Sequence, residues 1–224
     1  MLETFQGWGC LFYPADFVQE IKRLCVKNNL LLSFDEMQAG FARTGKKFGY
    51  EHYGVDADVI CCGKGMSSGL PLSAVLGSQE VMDLPEVGDM SSTHSANPLS
   101  CAAGLASIEF IEAHDLVNES ARKGKIFHGM LNDLKEKFSN RILYVCGNGM
   151  IAGMIFKNPA DGKPDSPFAS KVSERAMQKG LLVVHTGRES IKVAPPLTIP
   201  DEVVMEGISV FEESISEIDR EESK

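Results

Sequence analysis

A chain of 224 residues with 43% hydrophobic side chains is long enough to bury a real core, as one large domain or two modest ones. Its formal net charge of −9, relieved by no basic cluster, excludes nucleic acid as a natural partner. No apolar run reaches the roughly 18–20 residues a membrane helix needs, and Met1-Leu2-Glu3-Thr4-Phe5 lacks the basic-then-apolar pattern of a signal, so a cytoplasmic location is expected.

Over residues 15–28, Phe17, Ile21, Leu24 and Cys25 share one face and predict an amphipathic helix. The apolar runs at 30–35 and 58–64 read as buried strands. Helix, strand, loop, strand is the alternation of an α/β domain with a mostly parallel sheet. The loop at 38–45 is punctuated by glycine, residues 65–71 hold too many turn formers for an element interior, and 72–76 reads as a further strand.

From Pro98 to about residue 125 one long helix is expected, with Pro98 in its first turn and Ala102, Ala103 and Ala106 favouring propagation. Strands at 142–145, 150–156, 181–184 and 191–193 then alternate with helices near 168–179 and 201–218, with a surface loop at 158–166. Thr198 and Asp201 read as a capping pair, with Pro200 in the first turn. Two domains follow, 1–114 and a smaller α/β domain at 115–224, whose acidic stretch 212–222 reads as a solvated helix end. The six cysteines form no CxxC pair and no histidine stands at ligand spacing, so they read as small buried hydrophobes with no metal site.

Asp35 and Lys64 carry the chemistry, because each closes an apolar run that reads as a strand. In an open parallel sheet, ligands bind outside the carboxyl ends of the strands. An amine and a carboxylate delivered there are the two groups pyridoxal 5'-phosphate requires, one to form a Schiff base and one to hold the proton on the pyridine nitrogen. A lysine must shed its proton to act as a nucleophile, and burial beside an apolar strand end would favour this. Flanking Gly63 and Gly65 leave room for a planar ligand. Taken singly, each residue has a plainer reading: Lys64 as a surface lysine and Asp35 as a helix cap.

The run Phe34-Asp35-Glu36-Met37-Gln38-Ala39-Gly40-Phe41-Ala42-Arg43-Thr44-Gly45 resembles the signature of class III, ω-amino acid type, pyridoxal-phosphate-dependent aminotransferases. Asp58-Val59-Ile60-Cys61-Cys62-Gly63-Lys64 and Leu70-Pro71-Leu72-Ser73-Ala74 resemble that family's cofactor-lysine segment. Thr93-His94-Ser95-Ala96-Asn97-Pro98 resembles its Thr-x-x-x-Asn-Pro turn, and Ala194-Pro195-Pro196-Leu197-Thr198-Ile199 its C-terminal motif.

The resemblance implies the fold type I architecture: part of a large cofactor domain over 1–114 and a small C-terminal domain over 115–224. It implies a transaminase moving an amino group from an amino acid or amine to a 2-oxo acid, with decarboxylating or isomerising relatives, or an inactive truncated remnant, as the alternatives. Lys64 and Asp35 would be catalytic. Gln38 would meet the ring hydroxyl, Met37 (Val or Ile in most relatives) the ring face, and Thr93 the phosphate across the interface of a homodimer with shared sites. Outside the motif, Gln38 would be an ordinary loop amide and Thr93 a cap for the helix after Pro98. Arg43 reads as a brace, and Ser67 and Ser68 as shapers of the turn after Lys64.

Two departures stand out. Many relatives place an arginine two residues before Ala-Pro-Pro-Leu to clamp a carboxylate, where this chain has Lys192, a point charge rather than a fork. Arg188 is the nearby substitute. Relatives are also about twice as long, so the N-terminal half with its phosphate-gripping loop is expected to be missing, as in a fragment or half of a split protein.

Overall fold

The computed structural model describes residues 1–222, and the chain separates into two units, residues 1–5 with 13–118 and residues 6–12 with 119–224. The chain opens with short strands β1 (Leu2–Glu3), β2 (Phe5–Gln6) and β3 (Leu11–Phe12) before helix α1 (Ala15–Lys27). The first unit continues through β4 (Ser33–Asp35), β5 (Val59–Cys62), β6 (Ala74–Gly77), the short α2 (Gln79–Met82) and α3 (Pro98–Ala113). Its sheet has the order β1-β4-β5-β6, with β1, β4 and β5 parallel and β6 antiparallel to β5. The stretch between β5 and β6 is too short for a crossover, so the chain turns back on itself.

The strand expected at 30–35 begins only at Ser33. Asn29 takes φ +53°, the Leu30 amide returns to the Cys25 carbonyl at 2.9 Å, and the Leu32 amide is taken by Asp58 Oδ2 at 2.8 Å. Those donors are spent on ending α1 and on a side chain, which leaves Leu30 and Leu31 outside the sheet and exposed. Asp58, expected in the next strand, anchors that junction through Lys22 Nζ at 2.9 Å. Phe34 is fully buried and stacks on Tyr50 and Tyr53 with ring centroids 5.3 and 6.2 Å apart.

The single helix expected after Pro98 is two. Asp115 adopts φ +49°, His114 folds back on Phe110 with Nδ1 2.9 Å from its carbonyl, and α4 (Leu116–Lys137) restarts with Asn118 Nδ2 donating to the Asp115 carboxylate. A left-handed aspartate stops a helix, and its carboxylate bonds locally instead.

The second unit contains β7 (Ile142–Asn148), β8 (Ile151–Phe156), α5 (Ser166–Gln178), β9 (Val184–His185), β10 (Ser190–Val193) and α6 (Asp201–Glu222). Its sheet, β7-β8-β10-β9, is antiparallel throughout. Helix α6 buries Val204, Ile208, Phe211, Ile215 and Ile218, the three-and-four spacing of one helical face, against Phe127, Leu131, Met154, Phe156 and Phe168. Pro200 stands just before α6 rather than within its first turn, and Asp201 pairs with Arg122 at 2.8 Å.

The acidic stretch is not merely solvated. Lys179 meets Glu213 and Glu217, and Arg175 meets Glu217 and Glu221. The buried Arg141 guanidinium lies 4.3 Å over Phe168 and holds Asp219 and Glu222 at 2.5 and 3.1 Å. The exposed pairs contribute little, whereas removing the buried Arg141 cation would leave the carboxylates gathered around it without a counter-charge. Among the described residues no helix is long and apolar enough to cross a membrane. All six thiols are free; Cys10, Cys62 and Cys146 are buried, but Cys101 is exposed, contrary to expectation. Burial pushes the Cys62 and Cys146 thiols up to about 11, which keeps them inert.

His128 sits inside the second unit with Nε2 3.1 Å from the Gly149 carbonyl, and burial lowers its pKa from 6.5. An imidazole depressed in the folded state takes up its proton more readily once unfolded, so stability falls as pH drops through about 6.5. Half-buried His52, depressed chiefly by desolvation, adds a loss of the same sign from the first unit. The urea midpoint of the chain should therefore be lower at about pH 5.5 than at about pH 7.5, and His128→Gln should shrink that difference. An unchanged pH dependence in the variant would show that His128 is not its source.

Candidate active site

Asp35 is the last residue of β4 and stands in register with Cys61 on the adjacent parallel β5. Neighbouring strands lie about 4.8 Å apart, so the ends of β4 and β5 form one ledge. Beyond β5 the buried Gly63 leads into a 3-10 turn, Lys64–Met66, closed by the Met66 amide on the Gly63 carbonyl at 3.0 Å. Lys64 therefore leaves the strand rather than ending it.

Two features of Lys64 differ from the sequence expectation. It is exposed rather than buried, and its backbone takes φ +45°. The left-handed region costs an L-residue about 1–2 kcal/mol and concentrates where surrounding structure over-determines a functional conformation. Among the described residues the Lys64 ammonium makes no ion pair or hydrogen bond, so its Nζ is free to meet a ligand. A Cβ on Gly65 would approach nothing nearer than the Phe41 Cβ at 4.0 Å, which leaves open space beside the lysine.

Asp35 is half-buried, and its Oδ1 accepts the Met37 amide at 2.9 Å. The next residue faces the other way, as alternation dictates. Glu36 is fully buried, accepting the Thr4 hydroxyl, the Gly49 amide at 2.7 Å and the Tyr50 amide at 2.8 Å. Burial raises its carboxyl above the ordinary carboxylate value, the three donors pull it partly back, and Asp35 adds to the rise. This hub fastens β1 and the Gly49–Tyr53 turn beneath the ledge. No sequence signal marked Glu36, because its partners are scattered along the chain.

Met37 and Gln38 lie in the turn that follows, both half-buried. Arg43, further along that loop, has its guanidinium pushed down to about 10 by burial, which fits a brace rather than a mobile ligand. The Ser67 hydroxyl donates to the Leu70 carbonyl and Ser68 Oγ pairs with Ser107 Oγ at 2.8 Å, so both serines shape the turn after Lys64 as expected.

Thr93 lies in the exposed turn before α3. It does not cap that helix; Asn97 does, its Oδ1 accepting the Leu99 amide at 3.0 Å and the Ser100 amide at 3.5 Å. The same turn, with Ser92, His94, Ser95, Ala96 and Asn97 beside Pro71, Leu72 and Ser73, bounds an open cavity of about 480 Å³ with a mixed polar and apolar lining.

The two cations expected for substrate recognition belong to the second unit. Lys192 is on β10, opposite Gly153 of β8 and Val184 of β9. Arg188 lies in the turn before β10 with its guanidinium 5.2 Å over the Trp8 ring and an ion pair to Glu189 at 3.3 Å, while Trp8 Nε1 donates to the Thr186 carbonyl at 3.0 Å.

The donor set on the ledge, a free amine and a hydrogen-bonded carboxylate at adjacent strand ends, is chemically suited to pyridoxal 5'-phosphate. Comparison with known proteins gives the same direction. Residues 1–215 match the family described as Aminotransferase class-III. A 4-aminobutyrate aminotransferase of Mycobacterium leprae (strain TN) is 36% identical over 214 residues, covering 94% of this chain and 48% of the relative. An acetylornithine aminotransferase of Archaeoglobus fulgidus is 38% identical over 213 residues, covering 94% and 52%. Among solved structures, a transaminase from the marine bacterium Virgibacillus superposes with a TM-score of 0.90 at 29% identity, over 98% of this chain and 52% of its own. The chain spans about half the length of the curated relatives it matches.

Proposed function

The chain belongs to the class-III aminotransferase family, and from that membership we propose that it carries the cofactor lysine of a pyridoxal-phosphate-dependent transaminase. The reaction would move an amino group from an amino acid or amine to a 2-oxo acid. The observation that supports this most directly is the delivery of Asp35 and Lys64 to the ends of two adjacent parallel strands. When bound, pyridoxal phosphate would supply an electron sink for the electron pair left on the substrate carbon when its proton is removed.

In this reading the chain's own residues divide the work. Lys64 Nζ holds the cofactor covalently and serves as the base that moves the substrate proton. Asp35 keeps the proton on the ring nitrogen, its own orientation set by the Met37 amide. Gln38 meets the ring hydroxyl and Met37 the apolar ring face. Thr93, in the cavity-forming turn, meets the phosphate of a second copy's cofactor, so the reading includes a homodimer with shared sites. Residues 1–114 would then belong to the large cofactor domain and 115–224 to the small domain of a cytoplasmic enzyme.

For the donor, the 4-aminobutyrate and acetylornithine aminotransferases among the relatives favour a substrate with its reacting amine distant from a carboxylate. Lys192 and Arg188 are the cations proposed to meet that carboxylate. Arg188→Ala should raise the KM for carboxylate donors roughly tenfold, the scale of one charge-assisted bond, with kcat little changed. A KM unmoved in the variant would remove Arg188 from substrate recognition.

The direct test supplies pyridoxal phosphate, a ¹⁵N-labelled donor (4-aminobutyrate or N-acetylornithine) and either 2-oxoglutarate or pyruvate. Label appearing in glutamate or alanine is the expected result. A chain loaded at Lys64 that transfers no label from any donor would overturn the reading.

A further inference from the structure

We propose that Met37 and Gly63 form a seat that sets the position of Lys64, with Met37 acting as a positioning residue; this rests on the reading that Lys64 holds the cofactor. Gly63 has φ −179°, an extended backbone that any residue adopts, so its conformation does not call for glycine. Room does. A Cβ at residue 63 would lie 2.4 Å from Met37 Sδ and 3.3 Å from its Cε, which means the thioether occupies the notch that a side chain would fill.

The same methionine is fixed at its other end. Its amide donates to Asp35 Oδ1 at 2.9 Å. One residue therefore ties the carboxylate at the end of β4 to the backbone just past the end of β5, immediately before Lys64. The lysine itself stands at φ +45° in a short turn, and beyond Gly65 there is open space rather than packing. Support for the strained turn comes from the Gly63 side, where Met37 lies. An unbranched thioether with three rotatable bonds can reach into such a notch, and a β-branched side chain is too short and too stiff to do so.

The consequence is a dependence of one residue on the other. Alanine at 63 meets only the far end of a flexible side chain, so the fold survives and Met37 is expelled from the notch. With Gly63→Ala, the rate at which Lys64 acquires a borohydride-reduced pyridoxyl group should fall roughly ten- to a hundredfold, the upper end being the scale of a reacting group displaced by about 1 Å. With Met37→Val already present, adding Gly63→Ala should change that rate by less than about twofold, since nothing remains to expel. Circular dichroism and urea midpoints establish that each variant is folded. The ¹³C-methyl resonance of Met37 should shift in Gly63→Ala without any cofactor present, reporting the expulsion directly.

Equal slowing by Gly63→Ala in both backgrounds, or no slowing in either, overturns the seat while leaving Lys64 as the cofactor lysine. A wild-type chain that acquires no pyridoxyl group at Lys64 overturns the functional reading, and the positioning role falls with it.

Discussion

Borohydride reduction of the chain mixed with pyridoxal 5'-phosphate is expected to leave its mark on Lys64, and Lys64→Ala is expected to abolish both the mark and amino transfer. Several other lysines are held in ion pairs, among them Lys22 with Asp58, Lys137 with Glu212, Lys171 with Glu222 and Lys179 with Glu213 and Glu217. Forming a covalent bond at those amines would first break a charge contact. Lys64 makes no such contact among the described residues, projects from a left-handed turn at the end of β5, and has Asp35 on the adjacent strand end.

Loss of a positioned acid–base group alone costs on the order of 10²–10⁴ in rate, and loss of the covalent anchor adds to it. Transfer by Lys64→Ala should therefore drop at least about a thousandfold. Peptide mapping of the reduced protein decides the matter. A dominant adduct on another lysine, or a Lys64→Ala variant that still transfers nitrogen, would refute the assignment.

Glu36→Ala should be among the most destabilising single substitutions in the first unit. Three donors converge on that carboxylate: the buried Thr4 hydroxyl and Gly49 amide, and the half-buried Tyr50 amide. Each donor left buried without a partner costs about 1–3 kcal/mol, so a loss on the order of 3–5 kcal/mol is expected. That is a large share of the 5–15 kcal/mol by which a typical domain is stable.

Water cannot easily take the carboxylate's place, because Glu36 and Thr4 are fully buried and Gly49 packs so closely that a Cβ there would lie 2.7 Å from both Ala39 and Thr4. Glu36→Gln keeps an acceptor for Thr4 and Tyr50 but turns an NH₂ toward the Gly49 amide, so it should recover only part of the loss. Urea unfolding of both variants beside wild type tests this ordering. Glu36→Ala within about 1 kcal/mol of wild type would mean that the hub is not a support of the ledge.

These two residues also mark how far the sequence can be read. Asp35 and Lys64 were legible because an apolar run ending in a charged residue is a local pattern, and two such runs separated by a turn-rich loop describe adjacent strands. Helix α6 was legible for the same reason, its buried face being written at three-and-four spacing. Glu36 was not, since its neighbours in sequence look like any strand end and its partners come from Thr4, just after β1, and the Gly49–Tyr53 turn. Leu30 and Leu31 misled because hydrophobicity says nothing about where backbone donors go; Cys25 and Asp58 had already taken the amides on either side of Leu31.

By itself, then, the sequence determined the family and most of the elements, and it singled out Asp35 and Lys64 as candidates, because these depend on periodicity, residue type and motif order within short windows. Only the tertiary structure decided that β6 runs antiparallel, that Asp115 breaks a helix in two, that Lys64 is exposed in a left-handed turn, and that Met37 fills the notch at Gly63. Each of those depends on a hydrogen bond or a steric contact whose outcome a local pattern does not encode.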